Sequence, residues 1–107
     1  MTDVVKISIL GSTGSIGQST ISVIGSSKDF SKFEFCALTG NNNIDQLVKN
    51  AKYLKPKFVV TANPNRYKEL KDKLAGTGIE VAGGETGMLE AASLQVDWLM
   101  NAVVGAA

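Results

Sequence analysis

The chain contains no histidine and only one cysteine, Cys36. Without histidine, neither a Ser-His-Asp nor a Cys-His relay can be built within it. A lone cysteine excludes an internal disulfide framework, fits a reducing compartment and, together with the missing histidine, removes the usual zinc ligand sets. An excess of one charge is also lacking: 11 Lys and Arg stand against 10 Asp and Glu, a formal net charge of +1. That balance gives no electrostatic reason to expect nucleic acid or an anionic membrane as partner. No window approaches the roughly 18 uninterrupted apolar residues of a membrane span. Residues 1–5 run directly into strand-like sequence, so no signal or transit peptide is expected. These absences point away from chemistry performed by this chain alone and towards binding.

What is present reads as one soluble domain over residues 1–107, with 44% hydrophobic and 20% charged residues. Residues 4–10 are β-branched and almost continuously apolar, as a strand buried on both faces should be. A helix is expected over residues 16–25, with Ile16, Thr20, Val23 and Ile24 on one packed face and Ser15 with Gln18 as a capping box. Residues 33–38 form the second strand and 39–43 a loop. Asn43 with Gln46 caps a helix whose Ile44, Leu47, Val48, Ala51 and Leu54 give the cleanest amphipathic run, ended by Pro56. A third strand over 58–61 precedes Pro64 at a first helical position, with Tyr67, Leu70 and Leu74 facing inward. A fourth strand over 79–82, a short helix near 88–92 and a fifth strand over 98–104 complete the pattern. Strict alternation predicts an α/β fold, a Rossmann-type doubly wound parallel sheet. The sequence stops just after a buried-type strand, where a further turn and helix are expected, so it reads as truncated after the fifth strand of a longer protein.

The first turn is Gly11-Ser12-Thr13-Gly14-Ser15-Ile16-Gly17. Glycines spaced G-x-x-G-x-x-G between a buried strand and an amphipathic helix match a dinucleotide-binding turn. The first permits the tight turn, the second clears a Cβ from the path of the pyrophosphate, and the third lets helix and strand approach closely. The helix N-terminus then offers unpaired N–H groups and a positive dipole end to phosphate, with Thr13 and Ser15 as added hydroxyl donors. The competing structural reading is a strand–helix turn that happens to be rich in glycine.

An NAD-type site places an acidic residue about 20 positions past the glycines, at the end of the second strand. Here residues 36–44 carry no Asp or Glu; Glu34 comes too early, and Asp45 falls inside the next helix. A carboxylate would repel a 2′-phosphate, so its absence favours NADP. Gly40 and the amides of Asn41, Asn42 and Asn43 are the candidates to surround that phosphate, although three asparagines before a helix also serve as ordinary loop and cap residues. Cys36 reads as a buried strand residue. The lysines at 49, 52, 55, 57, 68, 71 and 73 read as solvated faces, and Trp98 as a core or subunit contact.

Three blocks together carry a resemblance. Ile9-Leu10-Gly11-Ser12-Thr13-Gly14-Ser15-Ile16-Gly17 with Ser19-Thr20, then Ala37-Leu38-Thr39-Gly40-Asn41-Asn42-Asn43, and the terminal Val103-Val104-Gly105-Ala106-Ala107 resemble the N-terminal domain of 1-deoxy-D-xylulose 5-phosphate reductoisomerases. The resemblance implies NADPH as cofactor and a divalent metal, magnesium or manganese, whose ligands lie beyond Ala107. It also implies a bacterial cytoplasmic homodimer acting on a sugar phosphate in non-mevalonate isoprenoid synthesis. By position, Thr13, Gly14, Ser15 and Ile16 would contact cofactor phosphates and ribose, and Asn41, Asn42 and Asn43 would sit around the 2′-phosphate. Catalytic residues are expected outside this sequence. Other NADP-linked enzymes with the same glycine spacing stay open at this point. A semialdehyde dehydrogenase needs a later catalytic cysteine, and an extended short-chain reductase needs a Tyr-x-x-x-Lys. Tyr67 and Lys71 have that spacing but stand too near the start. A non-catalytic dinucleotide sensor and a ligand-free structural domain are the remaining rivals.

Overall fold

In the computed structural model, residues 4–102 are described, and strand alternates with helix as the sequence pattern predicts. The elements are β1 (Val5–Leu10), α1 (Ser15–Gly25), β2 (Phe33–Gly40), α2 (Ile44–Leu54), β3 (Phe58–Thr61), α3 (Tyr67–Lys73), β4 (Glu80–Gly83), α4 (Gly84–Ser93) and β5 (Trp98–Asn101). Short 3-10 turns at Phe30–Lys32 and Pro64–Arg66 lead into β2 and α3. Residues 103 and 104, expected to end the fifth strand, lie outside the described residues, as does the rest of the terminal block.

All five strands pair in parallel, in the order β4-β3-β2-β1-β5. The chain therefore walks outward from β1 to β4 and then crosses back to lay β5 on the other side of β1. Helices consequently cover both faces. One core joins Ile21 and Ile24 of α1, Leu47 and Ala51 of α2 and Leu70 of α3 to Ile7, Ile9, Leu38 and Val59 of the sheet. The other joins Ala91 of α4 to Ala37, Phe58 and Val60. Leu47 and Leu70 are fully buried, a burial that stabilises by about 1.5–3 kcal/mol for each such side chain. The Rossmann-type doubly wound sheet is confirmed, with its switch point between β1 and β5.

β2 is not a regular strand. Ile7 pairs with Phe35, but the next residue, Ser8, pairs with Ala37, so Cys36 is an extra residue held in a bulge. The bulge resets the alternation: Phe35 and Leu38 both join the core under α1–α3, and Ala37 joins the core under α4.

Several expected bounds shift for identifiable reasons. β2 continues through Thr39 and Gly40, which pair with Val60 and Thr61 instead of forming loop. β4 starts one residue later than expected, because the Ile79 N–H still donates to the Thr77 hydroxyl of the preceding turn. α4 is longer than expected, starting at Gly84, and buries Gly84, Gly87 and Ala91. Pro64 opens the 3-10 turn and not α3 itself. α2 matches its pattern fully: all five residues of its apolar stripe are buried. Its end is made by Lys55 in the left-handed region, φ 52°, directly before Pro56.

The face assigned to α1 is corrected. Its buried residues are Gly17, Ile21 and Ile24, whereas Ile16 and Val23 are 54% and 72% exposed. Gly17 has to face the turn it packs against, which rotates the stripe by one position. Ile16, Thr20 and Val23 then line an open groove of about 420 Å³ that runs between α1 and Met100 of β5. In the 107-residue chain, Ile21→Ala should cost about 2–4 kcal/mol, the range for a buried aliphatic truncation. Val23→Ala should cost less than about 1 kcal/mol, as expected at an exposed position. Urea unfolding of both variants checks this, and equal losses would restore the original face.

Candidate functional site

Parallel pairing brings the C-terminal ends of all the strands to one edge, where the turn after β1 and the loop after β2 lie side by side. Gly11 takes φ 78°, a left-handed conformation that favours glycine. Its N–H donates to the Thr39 hydroxyl at 2.9 Å, and the Ser12 N–H donates to the Thr39 carbonyl at 2.8 Å. Ser12 is thereby fully buried. Gly14, Ser15 and Ile16 are exposed, and Thr13 is half-buried.

The three glycines do three separable jobs. A Cβ on Gly17 would lie 2.3 Å from the Gly11 carbonyl oxygen and 2.7 Å from Ser12 backbone atoms, so α1 closes on the turn only without one. Gly14 differs in both respects. Its φ of −77° and ψ of 174° suit any residue, and a Cβ would meet nothing nearer than the Gly11 carbonyl oxygen at 3.7 Å. Neither conformation nor packing within the chain requires glycine at 14, and the space it leaves is directed outward.

Ser15 is not the helix cap expected from its spacing to Gln18. The N-cap is Gly14, no side chain caps it, and Ser15 is the first helical residue. Gln18 instead reaches back through Nε2 to the Ser12 carbonyl at 2.6 Å. The first turn of α1 therefore presents its N–H groups, with the positive end of the dipole, to whatever lies beyond Gly14. No acidic residue occupies that turn.

The loop after β2 meets this turn. A Cβ on Gly40 would lie 3.1 Å from Thr13 Cγ2 and 3.2 Å from Leu47 Cδ2, so Gly40 seats Thr13 against the start of α2. Asn41, Asn42 and Asn43 follow, all exposed. Asn43 caps α2 as the sequence predicts, its side-chain oxygen accepting the Gln46 N–H at 3.2 Å. The Asn41 carbonyl accepts the Thr61 hydroxyl at 2.6 Å, and Asn42 Oδ1 accepts from Asn63 Nδ2 at 2.7 Å. Asp45, the acidic residue nearest the loop, pairs with Lys73 of α3 at 3.0 Å.

Sequence reading missed a polar network beneath the turn. Asn50, buried on α2, donates through Nδ2 to the Ser12 hydroxyl at 3.2 Å and the Ser12 carbonyl at 3.3 Å. Gln46 Nε2 donates to Asn50 Oδ1 at 3.1 Å and to Gln18 Oε1 at 3.2 Å. A polar residue on the inner side of an otherwise apolar helix stripe, as Asn50 is, was the available signal.

The remaining candidates fall elsewhere. Cys36 is buried in β2; burial, reinforced by the charge of Glu34, pushes its thiol above the ordinary range. The seven lysines are exposed. Trp98 is half-exposed and packs against Phe33, 5.8 Å between ring centres. Lys71 sits over the Tyr67 ring at 5.8 Å. Both lie on α3, which packs on α2, β3 and β4.

Residues 7–107 match the family model described as 1-deoxy-D-xylulose 5-phosphate reductoisomerase. The chain belongs to this family. Among curated 1-deoxy-D-xylulose 5-phosphate reductoisomerases, that of Rhizobium rhizogenes is 51% identical over 102 residues, covering 95% of this chain and 26% of the relative. That of Rhizobium meliloti is 50% identical over 100 residues, with 94% and 26% covered. The chain thus spans about a quarter of the length of the reductoisomerases it matches. A solved Zymomonas mobilis reductoisomerase in complex with NADPH superposes with a TM-score of 0.90 at 38% identity, covering 98% of this chain and 27% of that one. A reductoisomerase in complex with NADPH, fosmidomycin and magnesium superposes at 0.85 with 33% identity, covering 95% and 25%.

The division of labour among the glycines predicts opposite outcomes. Gly17→Ala should destabilise the chain by about 2 kcal/mol or more, because backbone lies in the way of the added methyl. Gly14→Ala should leave the midpoint of thermal unfolding within a few degrees of the parent. A Gly14→Ala variant that melts as early as Gly17→Ala would show that position 14 also serves the fold.

Proposed function

We propose that this chain is the NADPH-binding part of a reductoisomerase that converts 1-deoxy-D-xylulose 5-phosphate to 2-C-methyl-D-erythritol 4-phosphate. The observation that carries the reading is the outward space at Gly14, set before an uncapped helix, in a chain whose fold overlays NADPH-bound relatives. Pyrophosphate fits there by charge and by shape: the helix supplies N–H donors and a positive end, and glycine removes the Cβ that would fill the approach. Thr13, Ser15 and Ile16 flank the same opening, while Gly11 and Gly17 hold its shape. Gly40, Asn41, Asn42 and Asn43 would surround the adenosine 2′-phosphate.

NADPH, once bound, supplies the hydride. The chain's own residues bind and orient it. Among the described residues no group of three or more His, Cys, Asp or Glu could hold a metal ion; on the family reading, magnesium or manganese would be held by carboxylates in the remainder of the enzyme. The sugar-phosphate site, the catalytic residues and a homodimer contact belong on the same reading to the remainder of the enzyme. Among the described residues no helix is long and apolar enough to cross a membrane, and we place the enzyme in the bacterial cytoplasm, without a nucleic-acid partner.

The full-length protein carrying this chain should oxidise NADPH in the presence of the sugar phosphate and manganese, and the 107-residue chain alone should not. Absorbance at the nicotinamide band follows both. Metal-dependent turnover by the pure chain, or none by the full-length protein, would overturn the assignment.

Cofactor choice gives a second test. Asn42→Asp would set a carboxylate beside a phosphate of about −1.5 to −2 charge. Two unit charges at 4 Å interact by about 1–4 kcal/mol at a partly solvated surface, enough for a tenfold loss. The KM for NADPH should rise while kcat holds, the loss should shrink with added salt, and NADH should be used as well as before or better. Equal losses with both cofactors would mean that Asn42 only shapes the loop.

A further inference from the structure

We propose that Asn63, on the loop after β3, sets the preference for NADPH by fixing which end of the Asn42 carboxamide meets the ligand; this rests on residues 41–43 being the 2′-phosphate loop. The loop has to hold a dianion without a cation of its own. Residues 35–48 include no Lys or Arg, and the Arg66 guanidinium nearby in sequence is engaged by Glu69 at 3.0 Å. Donors must therefore come from amides, and a side-chain amide is useful only with its NH2 end presented, since its oxygen would repel phosphate.

A chain of hydrogen bonds with defined polarity decides that orientation. It starts at a backbone N–H, which can only donate: Asn65 N donates to Asn63 Oδ1 at 3.0 Å. With its oxygen so committed, Asn63 presents its NH2 on the other side, and Nδ2 donates to Asn42 Oδ1 at 2.7 Å. The Asn42 oxygen is thereby turned back into the protein, and its NH2 is the end left for a ligand. Both loops are anchored on the end of β3. The Thr61 hydroxyl accepts from the Asn63 N–H at 3.2 Å and donates to the Asn41 carbonyl at 2.6 Å. In this proposal Asn63 is a positioning residue that acts through Asn42.

Asn63→Asp reverses the polarity while keeping the turn, because a carboxylate still accepts from Asn65 N–H but can only accept from Asn42. The Asn42 amide then turns its NH2 inward and its oxygen out. Asn63→Ser also keeps an acceptor for Asn65 but is too short to reach Asn42, and so only releases the amide. NADPH and NADH dissociation constants are measured by calorimetry on the full-length protein carrying each change, alone and with Asn42→Ala. Asn42→Ala should weaken NADPH several-fold and leave NADH unchanged. Asn63→Asp should weaken NADPH at least tenfold and Asn63→Ser about threefold, again without effect on NADH. In the Asn42→Ala background, Asn63→Asp should add less than threefold, since the residue through which it acts is gone. An equal loss from Asn63→Asp in both backgrounds would mean that its charge acts directly, and an unaltered NADPH-to-NADH ratio in Asn63→Ser would mean that Asn42 needs no positioning. Either result overturns the proposal. An unaltered ratio in Asn42→Ala would instead remove the 2′-phosphate reading on which it rests.

Discussion

Two hydrogen bonds to one residue fasten the loop edge of the sheet: the Thr39 hydroxyl takes the Gly11 N–H and the Thr39 carbonyl takes the Ser12 N–H. Each is worth only about 0.5–1.5 kcal/mol net, but their effect is geometric. They fix the chain as it leaves β1, in a conformation that only the left-handed Gly11 reaches easily, and they bury Ser12. The direction of α1 follows, because Gly17 can then approach the Gly11 carbonyl closely and nothing else fits between. Gly14 is left as the outermost point of the turn, with the helix N–H groups behind it.

α2 ties the two halves of the site together. Its N-terminus carries the asparagine loop, and two turns later its buried Asn50 grips both the hydroxyl and the carbonyl of Ser12. Gln46 on the same helix bridges Asn50 to Gln18 of α1. A buried polar cluster of this kind is costly if any member loses its partner. The distance between the glycine turn and the asparagine loop is therefore set by one helix, and α1 and α2 are held in register by side-chain amides as well as by their shared apolar core.

Local patterns in the sequence showed most of the architecture. The glycine triplet lay between the right elements, the Leu47–Val48–Ala51–Leu54 stripe identified α2, and Asn43 announced its own cap. Wherever a distant residue decides the outcome, reading along the chain failed. Ser15 and Gln18 have the spacing of a capping box, yet Gln18 bonds to Ser12 because Ser12 is already held in place from β2. Thr39 and Gly40 look like loop and become strand only because Val60 and Thr61 pair with them. Ile16 and Val23 look like a core face until Gly17 is seen to need the turn. Asn63 and Asn42 stand 21 residues apart, and no periodicity links them.

The bulge at Cys36 bears on how β2 can change in length. β1 alternates strictly, so losing a residue there would turn every later side chain to the opposite face. β2 already holds one residue more than its partner across the pairing from Phe35 to Ala37. Deleting Cys36 would make the strand regular and leave Phe35, Ala37, Leu38 and Thr39 facing as they do now. β2 thus carries one residue of slack upstream of Thr39, and the fastening of the glycine turn is buffered against a single-residue deletion in one strand and exposed to it in the other.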